Sequence, residues 1–239
     1  MKKLGLIGGM SWNSTELYYR AINQHVATTM GGLHSAELLL YSVDFAPIAA
    51  LQATEDWAAA TVKMVEAAQS LQRGGAEAIV ICTNTMHRMA TDIESATGLP
   101  VLHIADALAE SMPGIQNAGI LGTYYTMSAP FYRDYFCAQH GISLIAPEEA
   151  EMREIHRVIY EELCHGQVKE AARHYYVEAV DALKAQGAQA IILGCTEIGM
   201  LLSQKDYMAL PLLDSTTIHA HYAAEFAMGQ QSGKKRVAL

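Results

Sequence analysis

Two short stretches of this 239-residue chain carry the residue types that chemistry needs. They are Cys82-Thr83-Asn84-Thr85-Met86-His87 and Gly194-Cys195-Thr196-Glu197. Each sets a thiol or hydroxyl beside amide, hydroxyl or carboxyl groups. A thiolate serves equally as proton acceptor and as nucleophile. Asn84, Thr85 and Thr196 add side-chain donors suited to a carboxylate. Gly194 fits a tight turn that would expose the Cys195 thiol. A helix starting just beyond would favour the thiolate over the reference pKa of about 8.5, whereas an ionised Glu197 nearby would oppose it. Cys195 is therefore weighed as an acid/base group against the alternative of a buried small hydrophobe. Cys82 reads mainly as a structural residue at a strand end, and Cys137 and Cys164 as helix residues. His87 and His219 fall near expected helix starts, where they either orient carboxylates or serve as satisfied structural histidines.

The elements that must position these residues alternate along the chain. Apolar runs at Leu4 to Ile7, Leu38 to Val43, Ala78 to Cys82, Val101 to Ile104, Ala118 to Leu121, Ser143 to Ala146, Ala190 to Leu193 and Leu210 to Leu213 read as strands. They are continuous rather than alternating, as parallel strands covered on both faces require. Helical patterns separate them, at Thr15 to Met30, Trp57 to Gly74, His87 to Thr97, Met127 to His140, Ala150 to His165, Gln167 to Gln186 and His219 to Met228. Strand–helix alternation predicts right-handed crossovers and parallel sheets.

Three segments recur in the same order. Leu4-Gly5-Leu6-Ile7-Gly8 matches Ala118-Gly119-Ile120-Leu121-Gly122, 114 residues on. Gly75 to Ile81 matches Gly187 to Leu193 at 112, and Leu99-Pro100-Val101-Leu102 matches Leu210-Pro211-Leu212-Leu213 at 111. The repeat predicts two similar α/β lobes, each an open parallel sheet flanked by helices, related by a pseudo-twofold. The first lobe is expected over residues 1–98 plus 211–239, and the second over 99–210. Ligands of open parallel sheets sit beyond the carboxyl ends of the strands, so the site is expected between the lobes. At the 112-residue offset Thr83 opposes Cys195. Gly8, Gly9, Gly122 and Thr123 are expected to let backbone approach a small ligand. Gly5-Leu6-Ile7-Gly8-Gly9-Met10 has neither dinucleotide nor Walker spacing.

Composition narrows the partners. A formal net charge of −9, with Lys234-Lys235-Arg236 near the end as the one basic cluster, argues against nucleic acid. That tail, from Gly229, reads as a frayed terminus. No stretch approaches the roughly 20 apolar residues of a spanning helix, and the glycine-rich start does not read as a signal peptide. Four cysteines without paired or zinc-type spacing suggest free thiols in a reducing, cytoplasmic setting, and no metal site is expected.

Gly8-Gly9-Met10-Ser11-Trp12, the two polar motifs and Leu121-Gly122-Thr123 together resemble the cofactor-independent aspartate/glutamate racemase family. The likeness is strongest to its enteric branch, described as specific for L-aspartate and L-glutamate, and runs to about Met228. The resemblance implies a homodimer without cofactor or membrane partner, acting on a small amino acid. It implies two groups on opposite faces of the substrate Cα, Cys195 and Thr83. It also implies contacts from Met10, Gln52, Asn84, Thr85, Thr123, Thr196 and Glu197, with Cys82 and His165 as further candidates. The family's first motif has cysteine where this chain has Thr83, which puts a symmetric two-thiol mechanism in doubt. Archaeal relatives clamp the substrate carboxylates with Arg and Lys. The corresponding stretches here, Ala46 to Gln52 and Glu162 to Gly166, contain neither, leaving Gln52 and His165 as partial substitutes. Open alternatives are a broad-specificity racemase, a dicarboxylate isomerase or decarboxylase, and a non-catalytic carboxylate binder.

Overall fold

The computed structural model describes residues 1–230 and divides into two compact units. Among the described residues the first comprises 1–104 and 219–230, and the second Ala105–Ile218. The basic cluster Lys234-Lys235-Arg236 lies outside the described residues. No helix among those residues is long and apolar enough to cross a membrane.

The first unit holds β1 (Leu4–Gly8), β2 (Leu38–Ser42) and β3 (Ala78–Ile81) in a parallel sheet of order β2-β1-β3. Its helices are α1 (Trp12–Met30), α2 (Phe45–Ala53), α3 (Trp57–Arg73) and α4 (Ala90–Thr97). Strand side chains alternate between two apolar layers. Ile7, Ile79 and Ile81 meet Met64, Ala67, Ala68 and Leu71 of α3 and Ile93 of α4. Leu4, Leu6, Ala78, Val80 and Cys82 face the other way, onto Tyr18, Ile22 and Val26 of α1.

The second unit starts with α5 (Ile104–Glu110). Its sheet contains β4 (Asn117–Gly122), β5 (Ser143–Ile145), β6 (Ala190–Gly194) and β7 (Leu212–Asp214), all parallel, in the order β5-β4-β6-β7. The intervening helices are α6 (Tyr124–Met127), α7 (Pro130–His140), α8 (Glu149–Glu161), α9 (Glu170–Ala185) and α10 (Ile198–Leu201). Leu121, Ile191 and Leu193 pack on Ile155, Val158 and Ile159 of α8 and on Tyr176, Val180 and Leu183 of α9. The chain then enters α11 (Ser215–Ala227), whose Ala220, Ala223, Ala224 and Ala227 join the first unit's α1-side layer. The spacing of these alanines forms one helical stripe, and their small side chains allow close helix–sheet approach.

The repeat is visible at the level of single bonds. Glu77 N–H donates to Lys3 O at 2.8 Å, and Gln189 N–H to Asn117 O at 2.9 Å. In return Lys3 N–H donates to Glu77 Oε2 at 2.7 Å, and Asn117 N–H to Gln189 Oε1 at 3.1 Å. Gly75 and Gly187, which close α3 and α9, take φ of 88° and 99°, where any side chain would be strained.

The third match behaves differently from expectation. Leu99-Pro100 does not open the second unit. Ile79 N–H donates to Pro100 O and Leu102 N–H to Ile79 O, so Val101 bridges β3 within the first sheet. In the same way Ile191 N–H donates to Pro211 O as β7 joins β6. Each Leu-Pro segment completes its own sheet, and the divisions fall at 104/105 and 218/219. The helix that follows each segment then joins the opposite unit: α5 the second, most of α11 the first.

Smaller differences have local causes. Val101 makes a single bridge and Ile104 already starts α5, so no strand spans 101–104. The Met127–His140 pattern breaks at Ser128-Ala129 because Pro130 starts a new helix. The His87–Thr97 pattern is a 3₁₀ turn, Thr85–Met89, followed by α4. The α2 helix is absent from the sequence reading. Asp44 caps it, and Pro47 is tolerated because first-turn N–H groups need no helical acceptor.

Candidate active site

In the first unit, β3 ends in the turn that carries the first motif. Cys82 is wholly buried in the α1-side layer, and burial pushes its thiol far up, fixing it as a neutral core residue. The next residue, Thr83, is partly exposed. Asn84 and Thr85 are buried as the chain tightens into the 3₁₀ turn. His87 Nδ1 donates to Thr83 O at 2.8 Å. Met86 packs in the cluster that holds Met10 and Ile48, so Met10 is a core side chain at 6% exposure. From α2, Gln52 approaches Met86, its Nε2 lying 4.0 Å from the sulfur. Gln52 is buried, and its Oε1 has no hydrogen-bond partner among the described residues. An unsatisfied buried amide oxygen costs about 1–3 kcal/mol.

In the second unit, Gly122 of β4 pairs with Gly194 of β6, which places Thr123 and Cys195 next in register on neighbouring strands. Thr123 Oγ1 lies 3.2 Å from Thr126 Oγ1 at the start of α6. The Cys195 thiol donates to Glu197 Oε2 at 2.9 Å, and the Thr196 hydroxyl donates to the same oxygen at 2.6 Å. Glu197 is buried and Cys195 half-buried. Burial raises the Cys195 thiol well above its ordinary range, and the Glu197 carboxylate adds to the rise. The thiolate-favouring effect expected from a helix start does not prevail. The α10 helix is one turn long and begins three residues beyond Cys195, while a carboxylate touches the sulfur directly.

The surroundings of Cys195 include residues the sequence did not single out. Tyr160 of α8 lies within electrostatic reach of Cys195, Tyr125, Cys164 and Glu197, and burial raises its hydroxyl. His156 rests against Tyr160 and Tyr125, with ring centroids at 4.5 and 5.5 Å. His156 Nδ1 accepts from Tyr124 N–H at 3.2 Å, and burial lowers its pKa, keeping the imidazole neutral. Cys164, in the 3₁₀ turn Leu163–His165, has its thiol pushed up to about 12 by burial and by Glu197, although the residue as a whole is exposed. His165 is exposed at the end of that turn. Only the i, i+4 spacing of His156 and Tyr160 was visible in advance, as one helix face.

The glycines also have a packing role. A Cβ on Gly9 would lie 2.3 Å from Val43 O, one on Gly8 2.4 Å from the Thr15 side chain, and one on Gly122 3.3 Å from Gly194 O. The space is filled by the chain itself. These glycines pack the loop after β1 onto its neighbours and bring β4 against β6.

Each of the two open parallel sheets carries a polar turn at the carboxyl end of the strand beside a central one. The chain belongs to the Asp/Glu/Hydantoin racemase family, whose model matches residues 7–223. A candidate Asp/Glu racemase from Yersinia pestis is 53% identical with a TM-score of 0.90, the match covering 95% of this chain and 100% of that one. An aspartate racemase homologue from Pyrococcus horikoshii is 32% identical with a TM-score of 0.82 over 95% and 100%. Picrophilus torridus aspartate racemase, at 20% identity and a TM-score of 0.72 over 97% and 96%, shares the fold.

Proposed function

We propose that this racemase interconverts L- and D-amino acids, aspartate and glutamate first, by cofactor-independent proton transfer at Cα. Cys195 is the main base, and Thr83 serves the opposite face. The observation that carries this reading is the thiol–carboxylate contact of Cys195 and Glu197 at 2.9 Å. A thiol raised this far is a poor acid, but its thiolate is a correspondingly stronger base for a weakly acidic C–H bond. Glu197 offers a place for the thiol proton. The thiol proton passes to Glu197, the thiolate sulfur takes the Cα proton, and the Thr83 hydroxyl delivers a proton to the other face of the carbanion. After the product leaves, Glu197 releases its proton to water and the Thr83 alkoxide takes one from water, which restores the enzyme.

Substrate binding is supported by the orphaned Gln52 Oε1, which suits an ammonium N–H. Carboxylate recognition falls to neutral donors, Asn84 and Thr85, because Ala46 to Gln52 and Glu162 to Gly166 contain no Arg or Lys, while the Thr196 hydroxyl is held by Glu197. Neutral donors hold a side-chain carboxylate less firmly than a bidentate guanidinium. This favours a second, broader reading in which other small amino acids are also turned over.

A threonine alkoxide is costly at neutral pH, so turnover from L to D is expected to have the larger kcat. Enantiomers have equal free energy in water, so kcat/KM is equal in both directions and the asymmetry resides in kcat and KM separately. The test is incubation of single enantiomers of aspartate, glutamate and a panel of small amino acids in deuterated water, followed by chiral chromatography and mass spectrometry. Deuterium at Cα with inversion is expected, and its absence from every amino acid would sink the reading.

A further inference from the structure

The turn that presents Thr83 is held in a way its counterpart is not. Thr83 N–H donates to Ile81 O at 2.9 Å, and Thr83 O accepts from His87 Nδ1 at 2.8 Å. A carbonyl only accepts, so the His87 proton sits on Nδ1. The imidazole takes the carbonyl that the backbone N–H of His87 would bind in a regular α-turn. That N–H goes to Asn84 O instead, at 3.2 Å. His87 is 2% exposed, and its ring packs on His103 and His219 at centroid distances of 4.7 and 5.3 Å. His219 is fixed in turn. Its Nε2 donates to Leu102 O at 2.6 Å, and its Nδ1 accepts from the Tyr18 hydroxyl at 2.8 Å. A chain of buried contacts thus runs from α1 and α11 through His219 and His87 to the carbonyl of Thr83.

In the second unit the position 112 residues beyond His87 is Gly199, which has no side chain, and the Cys195 carbonyl accepts from Ile198 N–H at 3.2 Å. The difference matches the chemistry. A hydroxyl is a weak proton donor and needs accurate alignment. Both backbone polar groups of Thr83 are anchored, and a β-branched side chain has few χ1 choices, so fixing the backbone fixes the hydroxyl.

We infer that His87 is a positioning residue for Thr83: it governs inversion at Cα, and proton abstraction by Cys195 does not depend on it. The inference rests on the assignment of Thr83 and Cys195 to opposite faces.

Two rates measured on the full chain separate the possibilities. With L-glutamate or L-aspartate in deuterated water, removal and return of a proton by Cys195 alone labels the L-isomer with retention. Formation of the labelled D-isomer needs both faces. In His87→Leu the ratio of inversion to retention exchange is expected to fall about tenfold or more, as small misplacements of reacting groups do. In His87→Asn, whose amide nitrogen lies near the place of Nδ1, the ratio should return toward wild type. His87→Gln carries its nitrogen nearer the place of Nε2 and should behave like the leucine variant, and it covers the case in which leucine does not fold. The ratio is independent of how much protein is folded. Inversion and retention falling in proportion, an unchanged ratio, or equal ratios in the asparagine and glutamine variants would each overturn the inference. Wild-type inversion that survives Thr83→Ala undiminished would remove the assignment of Thr83 instead, and this inference with it.

Discussion

The two turns descend from one plan and have been fitted for different work. On the proposed assignment the reactive atom of the second unit is a sulfur hydrogen-bonded to a buried carboxylate, with tyrosines and a neutral histidine around it. In the first unit the proposed group is a hydroxyl whose backbone is tied down by a buried imidazole, and Gln52 Oε1 on α2 has no partner among the described residues. One turn is equipped electrostatically and the other geometrically. On that assignment the sulfur has an acceptor for its own proton beside it. A weak donor lacks that help and depends on placement.

Substitutions at the two turns put this contrast at risk in different degrees. The largest effect is expected for Cys195→Ser, which should lower both deuterium wash-in and inversion by about 10³-fold, read by mass spectrometry of the single enantiomers. Loss of inversion alone would mean that another group abstracts the proton. Glu197→Gln comes next. Removing the carboxylate lowers the thiol's pKa, so alkylation of Cys195 by iodoacetamide should speed up. Turnover should nevertheless fall about 10²-fold, because the acceptor for the thiol proton is gone. Faster alkylation together with undiminished turnover would reduce Glu197 to a bystander. Thr83→Cys makes the turns chemically alike and should raise kcat from the D side several-fold, about a kcal/mol of barrier, with kcat/KM still equal in both directions. If the D-side kcat stays put, the hydroxyl is not the limiting group.

The smallest effects concern stability. Cys82 is raised by burial alone, and Cys195 by burial and Glu197. A group whose folded pKa lies above its unfolded value loses its stabilising contribution as pH rises past the unfolded value. For cysteine that is about 8.5, and for the buried Tyr132 and Tyr176, also raised, about 10. Urea midpoints should hold up to about pH 8 and decline steadily above it. Cys82→Ala should flatten the onset of that decline, cost about 1 kcal/mol at neutral pH, and leave turnover close to wild type. If Cys82→Ala instead abolished activity while Thr83→Ala did not, the register of the first motif would be off by one.

What the sequence makes readable is what repeats. Buried strand positions tolerate few residue types, so Leu4 to Gly8 and Ala118 to Gly122 kept their likeness, and the strands and motif ends followed from it. The crossover of α5 and α11 is not readable, because Leu-Pro marks the fourth strand position in both units and says nothing about which unit the next helix joins. Nor is α2, whose Ala-rich segment lacks a polar face to mark a helical period and carries Pro47 in its first turn. Gln52 can be named as a candidate, but that its amide is buried with one atom unsatisfied depends on packing against Met86, which lies far along the chain. The contact of Glu197 with Cys195 lies within two residues and was weighed in advance. Its outcome needed the burial of both groups.

The path of the last helix also bears on synthesis. Leu4, Leu6 and Val80 bury one face beneath the alanine stripe of α11, and each such side chain contributes about 1.5–3 kcal/mol when covered. While the ribosome is still making the second unit, that layer has α1 but lacks α11. The nascent first unit stays incomplete until α11 emerges, so its last layer closes only after the whole second unit has been made.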